Sequence, residues 1–276
     1  MRRFSQLLDV CDAIGHLARE LGVGLLEAED ERLEGRTVRV GGRSVLNFCS
    51  CSALGLELDP RLIEGAIDAA RRFGTQFSMS RAFVSAPPYA ELEERLGQIT
   101  GGPSLVLPST SLASAAALPT LIAPDDAVLL DQQVHMSVQI VMPLLERIGV
   151  YVERVPHART DELEARLRVL EMKHPRVWHL TDGVHSMHGD LASLDDLQWL
   201  LERHPALHLY IDDAHGTSWT GRHGRGHALE QLRRRDRVVV ALSLNKSFGA
   251  GGAALVFPDR KTLQRVRHTS LPTNFG

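Results

Sequence analysis

A single lysine, Lys246, stands in "SLNKSFGAGG" (Ser243 to Gly252), just after the apolar run "RVVVAL" and just before a set of glycines. An amine held at a strand end can form a Schiff base when it is neutral, and partial burial favours the neutral form. Upstream, "YIDDAHG" puts Asp212, Asp213 and His215 after another apolar run. "DQQVHMSV" offers His135, and "TDGVHSMHGD" offers Asp182 and Ser186. "PSTSLAS" sets Ser109, Thr110 and Ser111 at the start of a small-residue helix. A carboxylate can keep a pyridine nitrogen protonated, which makes the ring an electron sink. A histidine can lie flat on such a ring, and hydroxyls with helix-start amides can hold a phosphate. Those are the requirements of pyridoxal 5'-phosphate (PLP).

Other chemistries fit less well. Asp and His ligate metals, yet neither "YIDDAHG" nor "HSMHGD" carries an HExxH or Cys-His spacing, so no metal centre is expected. A phosphate-binding P-loop needs glycine directly before the lysine and another five residues earlier; Asn245 and Val240 stand there. "GRHGRG" (Gly221 to Gly226) has glycines but no suitable strand before it, which makes a poor dinucleotide fingerprint.

The elements that would carry these residues alternate regularly. "SLVLP", "DAVLLD", "GVYVERV", "RVWHLTD", "LHLYIDD", "RVVVALSL" and "GGAALVF" read as strands. Between them, "STSLASAAALPTLI", "HMSVQIVMPLLERIG", "RTDELEARLRVLEMK" and "SLDDLQWLLERHP" each read as one helix. Strands apolar throughout, alternating with helices, predict an α/β fold whose mostly parallel central sheet has helices on both faces. Ligands of such sheets sit at the carboxyl ends of the strands, where the polar residues named above cluster. Before the alternation come a periodic leucine helix, a hairpin turned at Gly41-Gly42, and two helices, "DPRLIEGAIDAARRFG" and "PYAELEERLGQITGG". Asp59 should cap the first of these, with Pro60 at its opening position and Gly74 at its close. Residues 1–45 are thus expected as an N-terminal helical segment with the start of the hairpin, and 46–276 as the large α/β domain.

The totals narrow the class. The 276 residues are 43% hydrophobic and 24% charged, as in a globular protein with ample core. A net charge of −3 gives nucleic acid no general attraction, and the run Arg233 to Arg235 suits a solvated helix face. No segment reaches the length of a membrane span, and the acid-containing N-terminus resembles neither signal peptide nor anchor. Three cysteines, Cys11, Cys49 and Cys51, form no disulfide framework, so a reducing cytoplasm is the expected setting.

The ordered set "NFCSCSALGL", "FGTQFSMSRAFVS", "YAELEERL", "DQQVHMSV", "TDGVHSMHGD", "DDAHGTSWTGRHGRG" and "SLNKSFGAGG" resembles the α-oxoamine synthases, PLP-dependent enzymes of fold-type I, over roughly residues 35 to 276. The resemblance implies condensation of an amino acid with an acyl thioester such as acyl-CoA, followed by decarboxylation to an α-aminoketone. It implies Lys246 as the Schiff-base lysine that also takes the Cα proton, and Asp212 as the pyridine-nitrogen partner. It implies His215 as hydrogen-bond partner of the ring hydroxyl, with Ser186 beside that hydroxyl. His135 would stack on the ring, while Ser243, Thr110 and Ser111 would bind the phosphate. Asp213 would be structural. Asn47 and Arg81 fall in substrate-side segments, the glycines after Lys246 would let backbone approach the ligand, and a homodimer is expected.

The chain departs from the family pattern in places. Tyr89 stands where relatives have histidine, His188 changes "MDGD" to "MHGD", and Thr110 replaces a usual glycine. Relatives also continue into a small C-terminal domain with a substrate-binding arginine, whereas this chain stops at "TSLPTNFG". Two alternatives accompany the acyltransferase reading. One is another fold-type I enzyme, a lyase, aldolase or aminotransferase; the other is a non-catalytic partner subunit of a heteromeric synthase.

Overall fold

The computed structural model describes residues 2–33 and 35–274, with side chains from residue 9 onward. Two compact units emerge, Met1–Ser50 and Cys51–Gly276. The first holds helix α1 (Arg2–Glu20) and the hairpin of β1 (Thr37–Val40) and β2 (Arg43–Leu46). The hairpin register runs from Thr37↔Leu46 to Val40↔Arg43, so the turn falls on Gly41-Gly42 as predicted. The Glu29 carboxylate accepts the Gly42 N–H at 2.9 Å and pins that turn.

The second unit is built on a seven-stranded sheet. Its strands are β3 (Ser104–Leu107), β4 (Ala127–Asp131), β5 (Tyr151–Val155), β6 (Val177–Asp182), β7 (Leu207–Asp212), β8 (Val238–Ser243) and β9 (Ala253–Val256). Their spatial order is β3-β9-β8-β7-β6-β4-β5. Only β9 runs against its neighbours, pairing antiparallel with both β3 and β8; the β8-β7-β6-β4-β5 block is parallel. Every residue of β4, β6 and β8 is buried, as expected of strands covered on both faces.

Because side chains alternate along a strand, the sheet has two distinct faces. One carries Val128, Leu130, Leu180, Tyr210, Val239, Ala241, Ala253 and Leu255. Against it pack α4 (Thr110–Leu121), α6 (Met142–Arg147) and α10 (Arg260–Thr269). The other carries Leu129, Val177, Leu209, Ile211, Val240 and Leu242. It is covered by α3 (Pro87–Thr100), α7 (Thr160–Leu170), α8 (Leu194–Arg203) and the short α9 (His227–Gln231).

The helix α2 (Pro60–Phe73) starts and stops as predicted: the Asp59 carboxylate accepts the Arg61 N–H, and Gly74 closes the end. One expected helix is broken. "HMSVQIVMPLLERIG" forms α5 (Met136–Gln139) and α6 rather than a single rod. Pro143 has no N–H for the Gln139 carbonyl and its ring would strike that oxygen, so the first helix ends before it.

Candidate active site

Continuing the alternation to the strand ends sorts the polar residues by face. Asp182, Asp212 and Ser243 project on the α4 side, in line with Leu180, Tyr210 and Ala241. Asp131 and Asp213 project on the opposite side. Asp182 and Asp212 are register partners across the β6–β7 ladder, and Asp212 pairs with Ala241 of β8, two residues before Ser243. The face with α4 therefore gathers two carboxylates and a buried hydroxyl on three neighbouring strands.

Several short bonds fix this cluster. The Asp212 Oδ1 accepts the Ala214 N–H at 3.2 Å, and its Oδ2 accepts the Ser137 hydroxyl at 3.2 Å. Ser137 Oγ also lies 2.8 Å from His135 Nδ1. His135 caps α5: its Nδ1 accepts the Ser137 N–H at 3.2 Å, and its own N–H goes to Asp182 Oδ1 at 3.0 Å. One side chain, Ser137, thus touches both the histidine expected over the ring and the carboxylate expected beneath the ring nitrogen. The sequence reading passed over Ser137, a buried serine two residues after the histidine, because a lone serine in a helix carries no signal of its own.

Burial and the neighbouring Asp212 charge push the Asp182 carboxyl up to about 8, against smaller opposing effects of the His135 N–H and the Lys246 amine. Asp182 therefore carries a proton at neutral pH and can act as donor or acceptor. Burial, followed by the positive fields of Lys246 and His135, pulls His215 down to about 4. His215 is neutral under ordinary conditions. Lys246 is half-buried in the β8–β9 connection, within electrostatic range of both Asp182 and His215.

At the far edge, β3 leads into α4. Ser109 Oγ accepts the Leu112 N–H at 3.2 Å and caps α4. Thr110 and Ser111 supply amides of the first turn, among the four that a helix leaves without internal partners. Ser186 is exposed in the turn after β6, closed by the His185 N–H to Asp190 carbonyl bond at 2.9 Å.

The other residues singled out from the sequence make the following contacts. Asp213 is fully buried on the other face, where its Oδ2 accepts the Ala228 N–H at 2.9 Å. Gly183, Gly216 and Gly226 wrap it so tightly that an added Cβ on any of them would come within 2.3 Å of a carboxylate oxygen. Burial pushes Asp213 up to about 7. Its role is structural, as expected. Arg81 is tied down: it pairs with Glu93 at 2.9 Å, donates to the Val106 carbonyl at 2.9 Å and lies 4.0 Å over the Tyr89 ring. Tyr89 is thus the platform of that arginine. Asn47 belongs to the first unit, where its Oδ1 accepts the Cys49 N–H. His188 is exposed, its Nε2 3.2 Å from Gln133 Oε1.

Two of the glycines after Lys246 also lie close to the protein's own backbone. Gly249 has φ +67°, and a Cβ there would meet the Leu56 carbonyl carbon at 2.9 Å. Gly252 faces the Leu107 carbonyl, and Gly251 has open space. The close approach made by Gly249 and Gly252 is to the protein's own backbone.

Comparison with known proteins gives the family and the fold. The family described as aminotransferase class I and II matches residues 43–275. The 8-amino-7-oxononanoate synthase of Maricaulis maris (strain MCS10) is 40% identical over 246 residues, covering 87% of this chain and 60% of the relative. That of Anaeromyxobacter sp. (strain K) is 38% identical over 246 residues, covering 88% and 60%. The chain therefore spans about 60% of the length of these curated relatives. Among solved structures, the serine palmitoyltransferase of Sphingomonas wittichii superposes with a TM-score of 0.85 at 24% identity, over 99% of this chain and 67% of that one. The S. paucimobilis enzyme with bound PLP and myriocin gives 0.84 at 22%, over 98% and 68%. These two likenesses speak for the fold. On the match across residues 43–275, the chain belongs to the aminotransferase class I and II family, and its relatives include these synthases.

Proposed function

We propose that the protein is a PLP-dependent acyltransferase that condenses an amino acid with an acyl-CoA or similar thioester, with decarboxylation, to give an α-aminoketone. The observation that carries this reading is the Asp182–Asp212 pair on the α4 face, with His135 bonded to one carboxylate directly and to the other through Ser137.

The donor set fits PLP. Asp212, anchored from two sides, would hold the pyridine nitrogen, and His135 would lie against the ring. His215 and Ser186 would serve the ring hydroxyl, and the first-turn amides of Thr110 and Ser111, with Ser243, the phosphate. Lys246 would carry the covalent link. Bound there, PLP supplies an electron sink that acidifies the Cα–H of an amino acid.

The chain's own groups then have defined tasks. Lys246 Nζ, half-buried in the β8–β9 connection, would take the Cα proton. Asp212 is held in direction by the Ala214 amide and Ser137. Ser137 Oγ stands between His135 Nδ1, 2.8 Å away, and Asp212 Oδ2, to which its hydroxyl donates.

No helix among the described residues is long and apolar enough to cross a membrane. We place the protein in the cytoplasm, as a homodimer. Thiol release tests the function: with PLP present, free CoA should form only when both amino acid and acyl-CoA are supplied. Turnover of the amino acid without acyl-CoA would point to a lyase, aldolase or aminotransferase. Absence of both, with Lys246 untagged after borohydride treatment in the presence of PLP, would point to a non-catalytic partner subunit.

A further inference from the structure

On the sheet face away from Lys246, the ends of three parallel strands bring together Asp131 (end of β4), His157 (after β5) and His185 (after β6). Each offers a ligand atom within 4.8 Å of the other two. His157 Nδ1 lies 3.0 Å from Asp131 Oδ1, and its Nε2 lies 2.7 Å from Asp190 Oδ2. The His185 ring meets the His157 ring edge-on, with centroids 4.3 Å apart. His185 Nε2 faces Thr181 Oγ1, which donates to Asp131 at 3.3 Å, so this nitrogen looks toward the same carboxylate.

Two features remain unexplained by an ion-pair network. His185 is only 2% exposed, yet its Nδ1 has no hydrogen-bond partner and stops 3.9 Å from Asp190 Oδ2. Asp190 Oδ1 is likewise buried and unpartnered. A buried imidazole left half-satisfied costs about 1–3 kcal/mol unless something uses it.

We propose that this cluster is a metal site that binds Zn2+ through Asp131, His157 Nδ1 and His185 Nε2. Two imidazoles and one carboxylate are a donor set suited to zinc, with water as the fourth ligand. A cavity of about 80 Å³ lined by Asp131, His157, His185, His179, Thr181 and Ser193 leaves room for that water. Metal–ligand bonds of about 2.0–2.1 Å call for an inward shift of about an ångström, within reach of side-chain rotation. Asp190 explains the rest: it receives His157 Nε2–H already, and the same small shift brings His185 Nδ1–H to it. One carboxylate then orients both ligand histidines, the usual outer partner of a metal-bound imidazole. Binding displaces the proton now shared between His157 and Asp131. The ligands lie 26 and 28 residues apart along the chain, so no short spacing announces them, and this site departs from the metal-free expectation drawn from the sequence.

The test uses the 276-residue chain, stripped with chelator and dialysed against Zn2+ or Co2+. About one metal per chain is expected by mass spectrometry, with visible Co2+ bands of a tetrahedral nitrogen–oxygen site. His185→Phe and Asp131→Asn should each lower retained metal at least about tenfold. Zn2+ should raise the melting temperature of the wild type and leave that of His185→Phe unmoved. A wild type that retains no metal, a Co2+ spectrum of octahedral type, or a His185→Phe variant that retains the ion would overturn the proposal. Should the variants fail to fold, the wild-type count and spectrum decide alone. None of these readouts depends on PLP.

Discussion

Asp182 and Asp212 face each other across the β6–β7 ladder, on one side of the sheet, each about 4% exposed. Two carboxylates that close in a dry site resist ionising together, and the proton settles on Asp182, held up at about 8.

The pair gives the ligand-free protein a pH dependence of known sign. The folded Asp182 binds its proton more tightly than the unfolded chain does. Its contribution to stability is therefore complete below the ordinary carboxylate range and is lost as pH rises toward about 8. Asp182→Asn keeps an oxygen for the His135 N–H but cannot ionise. Denaturant unfolding between pH 5 and pH 8.5 should show a flatter profile for the variant, with a gain at the alkaline end of at least about 1.4 kcal/mol, the equivalent of one pKa unit. Parallel profiles for the two proteins would contradict the assignment.

Lys246 and Asp212 should separate in their failures. Lys246→Ala removes the amine proposed to move the Cα proton, and CoA release should fall by about 10²–10⁴. Asp212→Asn should still bind PLP, because the Ala214 and phosphate-side contacts survive, yet lose most turnover as the ring nitrogen loses its anion. Full activity in the Asp212 variant would count against the whole arrangement.

Ser137→Ala tests the link between His135 and Asp212. The loss of one hydrogen bond to a carboxylate is worth about 1.5–3 kcal/mol, so PLP should bind roughly tenfold or more weakly in equilibrium dialysis. A shift in the visible spectrum of bound PLP should accompany it. An unchanged affinity and spectrum would leave Ser137 as packing only.

The lysine loop offers a paired stability test. Gly249→Ala forces a Cβ against the Leu56 backbone at positive φ and should cost about 1–3 kcal/mol. Gly251→Ala meets nothing within 4 Å and should stay within about 0.5 kcal/mol of wild type in the same denaturation experiment. Equal effects at the two positions would remove the packing explanation.

The sequence by itself determined the strands, most helices, and which residues stand at the strand ends, because these follow from local patterns: apolar runs, caps and helix breakers. Asp59 at its cap, Ser109 at the start of its helix, and Lys246 after β8 were all legible in that way. Pro143 carried a warning about α5 and α6 that the apolar pattern around it masked. Tertiary structure alone decided which strand ends become neighbours. The order β3-β9-β8-β7-β6-β4-β5 sets Asp182 beside Asp212, and sends Asp131 to the other face with His157 and His185. It also set Arg81 against Glu93 and the Tyr89 ring. Alternation along one strand fixes a side chain's face, but only crossovers between distant segments, settled by burial of whole helices, fix what stands opposite it.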